Sequence, residues 1–184
     1  MSLLEEVVRI DHTFTRDTML RESGLSLFQK VLLITDGSVT ELLCIYTGQP
    51  IRARKLEQSV RRGVAPVALR CPVDVVLLHR RILLDDASTS HVYAESTFLF
   101  ERLSSRAREM LINSDVPIGV LWKEEKTEMY REVVDLRLER NPPVAAHFGS
   151  DSDLRLLSRT YLLHQGGSPL GLITEKFPVT SFTR

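Results

Sequence analysis

Apolar positions early in the chain recur at helix spacing. "TRDTMLRE" is followed by a break at Gly24 and then by "LSLFQKVLLIT", where Leu27, Phe28, Val31 and Leu32 share a face, so residues 15–35 read as helical. "DGS" at 36–38 is a stop or turn. "VTELLCIYTGQPIRARKLEQ" predicts two strands joined at Thr47-Gly48-Gln49, with Cys44 a core thiol on the first. "VDVVLLHRRILL" predicts a long strand and "HVYAESTFLF" its antiparallel partner. Leu103, Ala107, Met110 and Leu111 form one face of a helix over 103–113, and "SDVPIGVLW" reads as a turn and a short element. "EMYREVVDLRL" fits helix or strand, its Val-Val and Leu-x-Leu pattern favouring strand. "NPPVAAHFGSDSD" at 141–153 reads as a loop, and "LLSRTYLLHQGGSPLGLITEKF" as a hairpin turning at Gly166-Gly167. Hairpins with few helices predict an α+β fold: one domain over 1–184, with N-terminal helices in 1–35 and an antiparallel sheet in 36–184.

Two charges break this pattern. In "SPLGLITEKFP", residues 168–178, alternation puts Glu175 with Ile173 and Phe177, and Leu170, Leu172 and Thr174 on the other face. Both faces read as apolar, and a carboxylate there costs several kcal/mol, roughly, unless paired or protonated. In "VVLLHRRILL", Arg80 shares a face with Val76, Leu78, Ile82 and Leu84, while Arg81 shares the other with Val75, Leu77 and Leu83. One of the two is expected to reach solvent and the other to be buried against an anion, which a guanidinium binds bidentately. Two explanations carry equal weight at this level. One is a core ion pair of Arg80 with Glu175, or with a third residue such as Glu95. The other is a site for a compact, largely apolar molecule with a carboxylate for arginine and a hydroxyl or proton for glutamate.

Composition narrows the function classes. Lys plus Arg and Asp plus Glu number 24 each, so the net charge is zero, which argues against a protein that holds a nucleic-acid backbone. The basic stretch "RARKLEQSVRRG" lacks interleaved aromatics and reads as a solvated strand and turn. No apolar run approaches the ~20 residues of a membrane span, and "MSLLEEVVRIDHTF" has no secretory pattern, so a cytoplasmic protein is expected. Cys44 and Cys71 form no C-x-x-C pair and read as reduced thiols. Neither phosphate-binding glycine motif is present, nor is G-x-S-x-G. His12, His79, His91, His147 and His164 are scattered without ligand spacing, so no metal site is expected.

Four segments, in order, resemble the chorismate pyruvate-lyase (4-hydroxybenzoate synthase) family. "DGSVTELL" is similar to its Ser-Met-Thr segment after the first long helix, and "RRILL" to its Arg-Glu-hydrophobic strand. "VPIGVLW" resembles its Pro-Leu-Gly turn, and "SPLGLITEKFP" its Pro-Leu-Leu-Leu-Thr-Glu-Leu-Phe ending. "YAES" at 93–96 and "ITEKFP" look most like the family's divergent short-chain branch. The resemblance spans residues 36–178 and implies a chorismate lyase-like fold and a cofactor-free reaction of chorismate giving 4-hydroxybenzoate and pyruvate.

The resemblance also implies roles. Arg80 takes the family's carboxylate-binding position and Glu175 its catalytic glutamate, facing the hydroxyl across the ring. Backbone N–H groups of Val39 and Ile118 are the further carboxylate donors, with Thr40 and Arg81 beside them in the substrate-binding set. Valine for methionine and isoleucine for leucine depart from the family, but backbone donors survive a change of side chain. A second carboxylate needs another cation, for which Arg131, Arg159 and Arg81 stand unranked. "DDASTS" is longer than the family's turn, and "NPPVAAHFGSDSD" differs as well, so no covering flap carries over. A small-molecule substrate is the expected partner, with no nucleic acid and no membrane; the oligomeric state is not legible. The rival is a non-catalytic ligand-binding domain of the same fold, as in transcription-regulator effector domains. Those follow a helix-turn-helix module, whereas the residues before 36 align with the lyase's first helices, which favours the enzyme.

Overall fold

The structure, a computed structural model, describes residues 8–114, 118–150 and 152–183. Its seven strands are β1 (Arg9–Phe14), β2 (Arg52–Gly63), β3 (Val75–Asp85), β4 (Ser90–Leu99), β5 (Tyr130–Arg140), β6 (Arg155–Gln165) and β7 (Ser168–Pro178). They form one sheet in the order β1-β5-β6-β7-β4-β3-β2, with every neighbouring pair antiparallel. Two meanders, β2-β3-β4 and β5-β6-β7, thus join edge to edge through β4 and β7, and both long hairpins expected from the alternation are present. The helices are α1 (Arg16–Arg21), α2 (Leu27–Ile34), α3 (Val39–Thr47), α4 (Ser105–Asn113), α5 (Ile118–Glu124) and α6 (Pro142–Ala146).

Three expectations are corrected. Residues 39–47 are helix α3, not a strand, so Cys44 lies on a helix and is partly buried. Ser38 caps that helix by accepting the Glu41 N–H (3.3 Å), Val39 and Leu43 bury one face, and Gly48 ends it at φ 67°. A left-handed C-cap suits glycine, so "S-x-x-E" and "TG" were helix punctuation around an apolar run too short for its period to decide. Residues 9–14 form the edge strand β1 rather than part of a helical N-terminus; only Phe14 is buried there, so no hydrophobic alternation marks it. The 141–153 segment is not all loop, because Asn141 accepts the Val144 N–H (3.2 Å) and starts the short helix α6 on Pro142.

One face of the sheet carries two separate helical covers. Leu32 and Leu33 of α2 with Val39 and Leu43 of α3 pack over Leu84, Val92, Leu136, Leu157 and Phe177 at one end. Leu103, Ala107, Leu111, Leu121 and Trp122, from α4, α5 and the turn before α4, pack over Leu78, Phe98, Leu163 and Ile173 at the other. The opposite face is closed by the β2–β3 connection around Leu69 and by Val144 of α6. Gly171 of β7 marks a close approach: a Cβ there would stand 2.3 Å from the Phe98 ring, which packs edge-on to Trp122.

Candidate active site

Between the two helical covers the central strand carries small side chains. On β4 the residues facing the helices run Val92, Ala94, Ser96, Phe98, so bulk at both ends leaves room in the middle. The space is a cavity of about 70 Å³, enough for several water molecules. Its floor is two rows across the sheet. Arg80, Ser96, Ile173 and Tyr161 lie side by side on β3, β4, β7 and β6, and the next row holds Ile82, Ala94, Glu175 and Arg159. Its walls are Gly37, Ser38, Val39 and Thr40 at the start of α3, and Ile118, Gly119 and Trp122 of α5. Arg131 of β5 stands at its margin, lining both this cavity and a wider neighbouring groove.

Glu175 and Arg80 do not pair with each other. Both are buried, at 7% and 3% exposure, but they sit two strands apart, roughly 10 Å at the backbone. The partner of Glu175 is Arg159, whose Nε donates to Oε2 at 2.6 Å; Tyr161 donates its hydroxyl to Oε1 at 3.2 Å. The Arg159 guanidinium also lies 4.9 Å from the Tyr161 ring centroid and donates through Nη1 to the Thr35 carbonyl at 2.9 Å. Burial opposes the Arg159 charge, but Glu175 and Tyr161 outweigh it and hold its pKa above the ordinary value. Burial, and then the Glu175 charge, push the Tyr161 hydroxyl above its usual 10.0, so it stays a neutral donor. A carboxylate with one donor on each oxygen is fixed in direction and keeps accepting capacity for a group in the cavity.

The structure brings Arg80, Glu175, Val39, Thr40 and Ile118 to this one cavity. Val116 and Pro117 of the "VPIGVLW" segment lie outside the described residues. Arg81 does not belong with the others. Alternation turns it to the opposite face, 40% exposed, where it pairs with Glu57 (3.2 Å) and Glu95 (3.5 Å). Glu95, offered above as a core partner for Arg80, is thereby accounted for as well. Among the three unranked arginines, Arg159 is committed to Glu175, Arg81 faces away, and Arg131 lines the cavity. The acidic pair of "DDASTS" is structural: Asp85 binds Arg54 (2.6 Å), and Asp86 caps the β3–β4 turn through the Ser88 and Thr89 N–H groups (2.7 Å each).

Sequence reasoning missed Tyr161, Trp122 and the small pair Ala94 and Ser96. It left Arg159 among three unranked cations and did not pair it with Glu175. In "LLSRTYLL" the set Leu157, Arg159, Tyr161, Leu163 alternates as the Glu175 strand does, so an arginine in an apolar strand was visible there too.

An antiparallel sheet with helices over one face and a cavity between them defines an α+β protein of the chorismate lyase-like fold. The effector domain of PhnF from Mycobacterium smegmatis shares it: TM-score 0.63 at 13% identity, covering 79% of this chain and 90% of that one. A family model described as "Chorismate pyruvate-lyase Rv2949c-like" matches residues 33–183, and the chain belongs to that family. The Mycobacterium tuberculosis protein named "Chorismate pyruvate-lyase" is 23% identical over 171 residues, 89% of this chain and 85% of that one. A Methanocaldococcus jannaschii protein named "Putative lyase MJ0807" is 26% identical over 184 residues, 97% and 88% of the respective chains.

Proposed function

We propose that the protein is a chorismate pyruvate-lyase, converting chorismate to 4-hydroxybenzoate and pyruvate. The observation that carries this reading is the convergence of buried Arg80, the oriented carboxylate of Glu175 and the first residues of α3 and α5 on one cavity with a floor of small side chains. Membership of a chorismate pyruvate-lyase family supports the class of reaction.

Arg80 anchors the ring carboxylate, helped by the backbone N–H groups of Val39 and Ile118. Val39 is the first residue of α3, where an N–H has no acceptor inside the helix, and Ile118 is the first described residue of α5. Thr40 lies one residue further along the same wall. Glu175, at the ring's far end, accepts the C4 proton or holds the C4 hydroxyl, and Arg159 with Tyr161 fixes its direction. The C4–H electron pair becomes a ring double bond as the ether C–O bond breaks. The departing enolate takes a proton on its methylene carbon and becomes pyruvate. Aromatisation drives the elimination, so the protein's task is to orient the dianion, exclude water and manage one proton.

The test is steady-state turnover of chorismate, followed by 4-hydroxybenzoate and pyruvate together, without added metal or cofactor. Equimolar products above the spontaneous rate, lost in Arg80→Ala, are expected. The likeness to an effector domain supports one other reading, a sensor on the lyase fold. Tight binding of 4-hydroxybenzoate with no conversion of chorismate would select the sensor.

A further inference from the structure

We propose that Arg131 forms a second anion subsite at the margin of the cavity and that it takes the enolpyruvyl carboxylate of the substrate. This rests on the chorismate reading of the cavity and names the partner of its second charge.

Position is the first observation. Arg131 lines both the inner cavity and an adjoining groove of about 600 Å³ that runs along β5 past Phe14, Thr15, Arg16 and Ile34. A ring seated over Ala94 and Ser96 therefore presents its ether side chain towards the wider groove, through which pyruvate can leave. Spacing is the second. Arg131 sits on the same sheet face as Tyr161 and Arg80, four strands from Arg80 in the order β5-β6-β7-β4-β3. That is roughly 19 Å at the backbone, a gap that only long side chains reach across to meet one ligand from opposite sides.

Charge is the third. Among the described residues, no carboxylate lies within salt-bridge distance of Arg131. Its Nη1 donates to the Asp36 carbonyl, which orients the guanidinium and leaves its charge unneutralised. Four of its five N–H donors remain for an anion, enough for a bidentate carboxylate contact. The acidic residues of β5 that share the groove are engaged elsewhere, Glu132 with His164 (3.0 Å) and Asp135 with Arg137 (2.6 Å). In register, Arg131 lies opposite Leu163, one row beyond Tyr161 on the same face, and its charge is felt at the Tyr161 hydroxyl.

The experiment compares a dianion with a monoanion. Chorismate and 4-hydroxybenzoate share the ring carboxylate, and only chorismate carries the second one. Wild type, Arg131→Met and Arg131→Lys are measured for chorismate KM and for 4-hydroxybenzoate Kd. Arg131→Met is expected to weaken chorismate on the order of 30-fold and 4-hydroxybenzoate by no more than about threefold, with Arg131→Lys recovering part of the loss. The retained product affinity shows that the cavity is intact. Equal weakening of both ligands, or no weakening of chorismate, overturns the subsite. A wild type that binds chorismate without converting it refutes the lyase reading alone, because the same comparison then runs on chorismate Kd. A wild type that binds neither ligand refutes both.

Discussion

Glu175 is held by two side chains from the neighbouring strand, and what happens when one is removed separates folding from function. Arg159→Met leaves a buried carboxylate without its cation and is expected to destabilise the protein by roughly 3–5 kcal/mol, read by urea denaturation. The double variant Arg159→Met/Glu175→Leu, with no charge left in the pair, is expected to recover most of that stability while showing no turnover. A double variant as unstable as the single one would mean that the pair itself, rather than the orphaned charge, holds the sheet together. Arg80 and Glu175 stood out in the sequence as charges in period-two apolar strands, and Arg159 occupies a strand of the same pattern without having been singled out for it. Which of them pair was not visible, for a physical reason. The β6–β7 ladder shifts by one residue between Leu163 and His164, which sets Arg159 opposite Glu175; an unbroken two-residue hairpin would have set it opposite Thr174.

At the level of elements, the cavity exists because β4 is narrow in its middle and the helices above it come as two separate pairs. Ala94→Leu puts a large side chain on the floor between Ile82 and Glu175. It is expected to lower kcat/KM at least ~100-fold, about 2.7 kcal/mol of transition-state binding, while thermal unfolding stays cooperative. Near-wild-type turnover in that variant would put the reaction elsewhere. The strands β3, β4, β6 and β7 were legible because long alternating runs fix their faces. Helix α3 was not, since its apolar run satisfies either period and only its caps decide. Its start nevertheless carries Val39 and Thr40 to the cavity, so a misjudged element still delivered residues expected there.

At the scale of the whole molecule, two shifted groups tie the stability of the fold to pH. Asp86 is held well below its ordinary 3.8, first by the His91 ring at 2.7 Å and then by the Ser88 N–H. A depressed carboxyl stabilises the fold above 3.8 and loses that contribution as pH falls below it. Tyr161 is shifted the other way, so its contribution is full below 10.0 and fades as pH rises past it. Tm measured against pH is therefore expected to show Asp86→Asn below wild type at neutral pH, with the gap closing in acid. Tyr161→Phe is expected to show the same, with the gap closing in alkali. Gaps that are constant with pH would contradict the assignment. Among the described residues, no helix is long and apolar enough to cross a membrane.

A single-turnover experiment, with enzyme in excess over chorismate and both products quantified after quenching, isolates the bond-breaking step at Glu175 because product release does not enter it. One 4-hydroxybenzoate and one pyruvate per chorismate in wild type, and neither above the spontaneous level in Glu175→Gln, is the expected result. Chorismate recovered intact from wild type, or full conversion by Glu175→Gln, would contradict it.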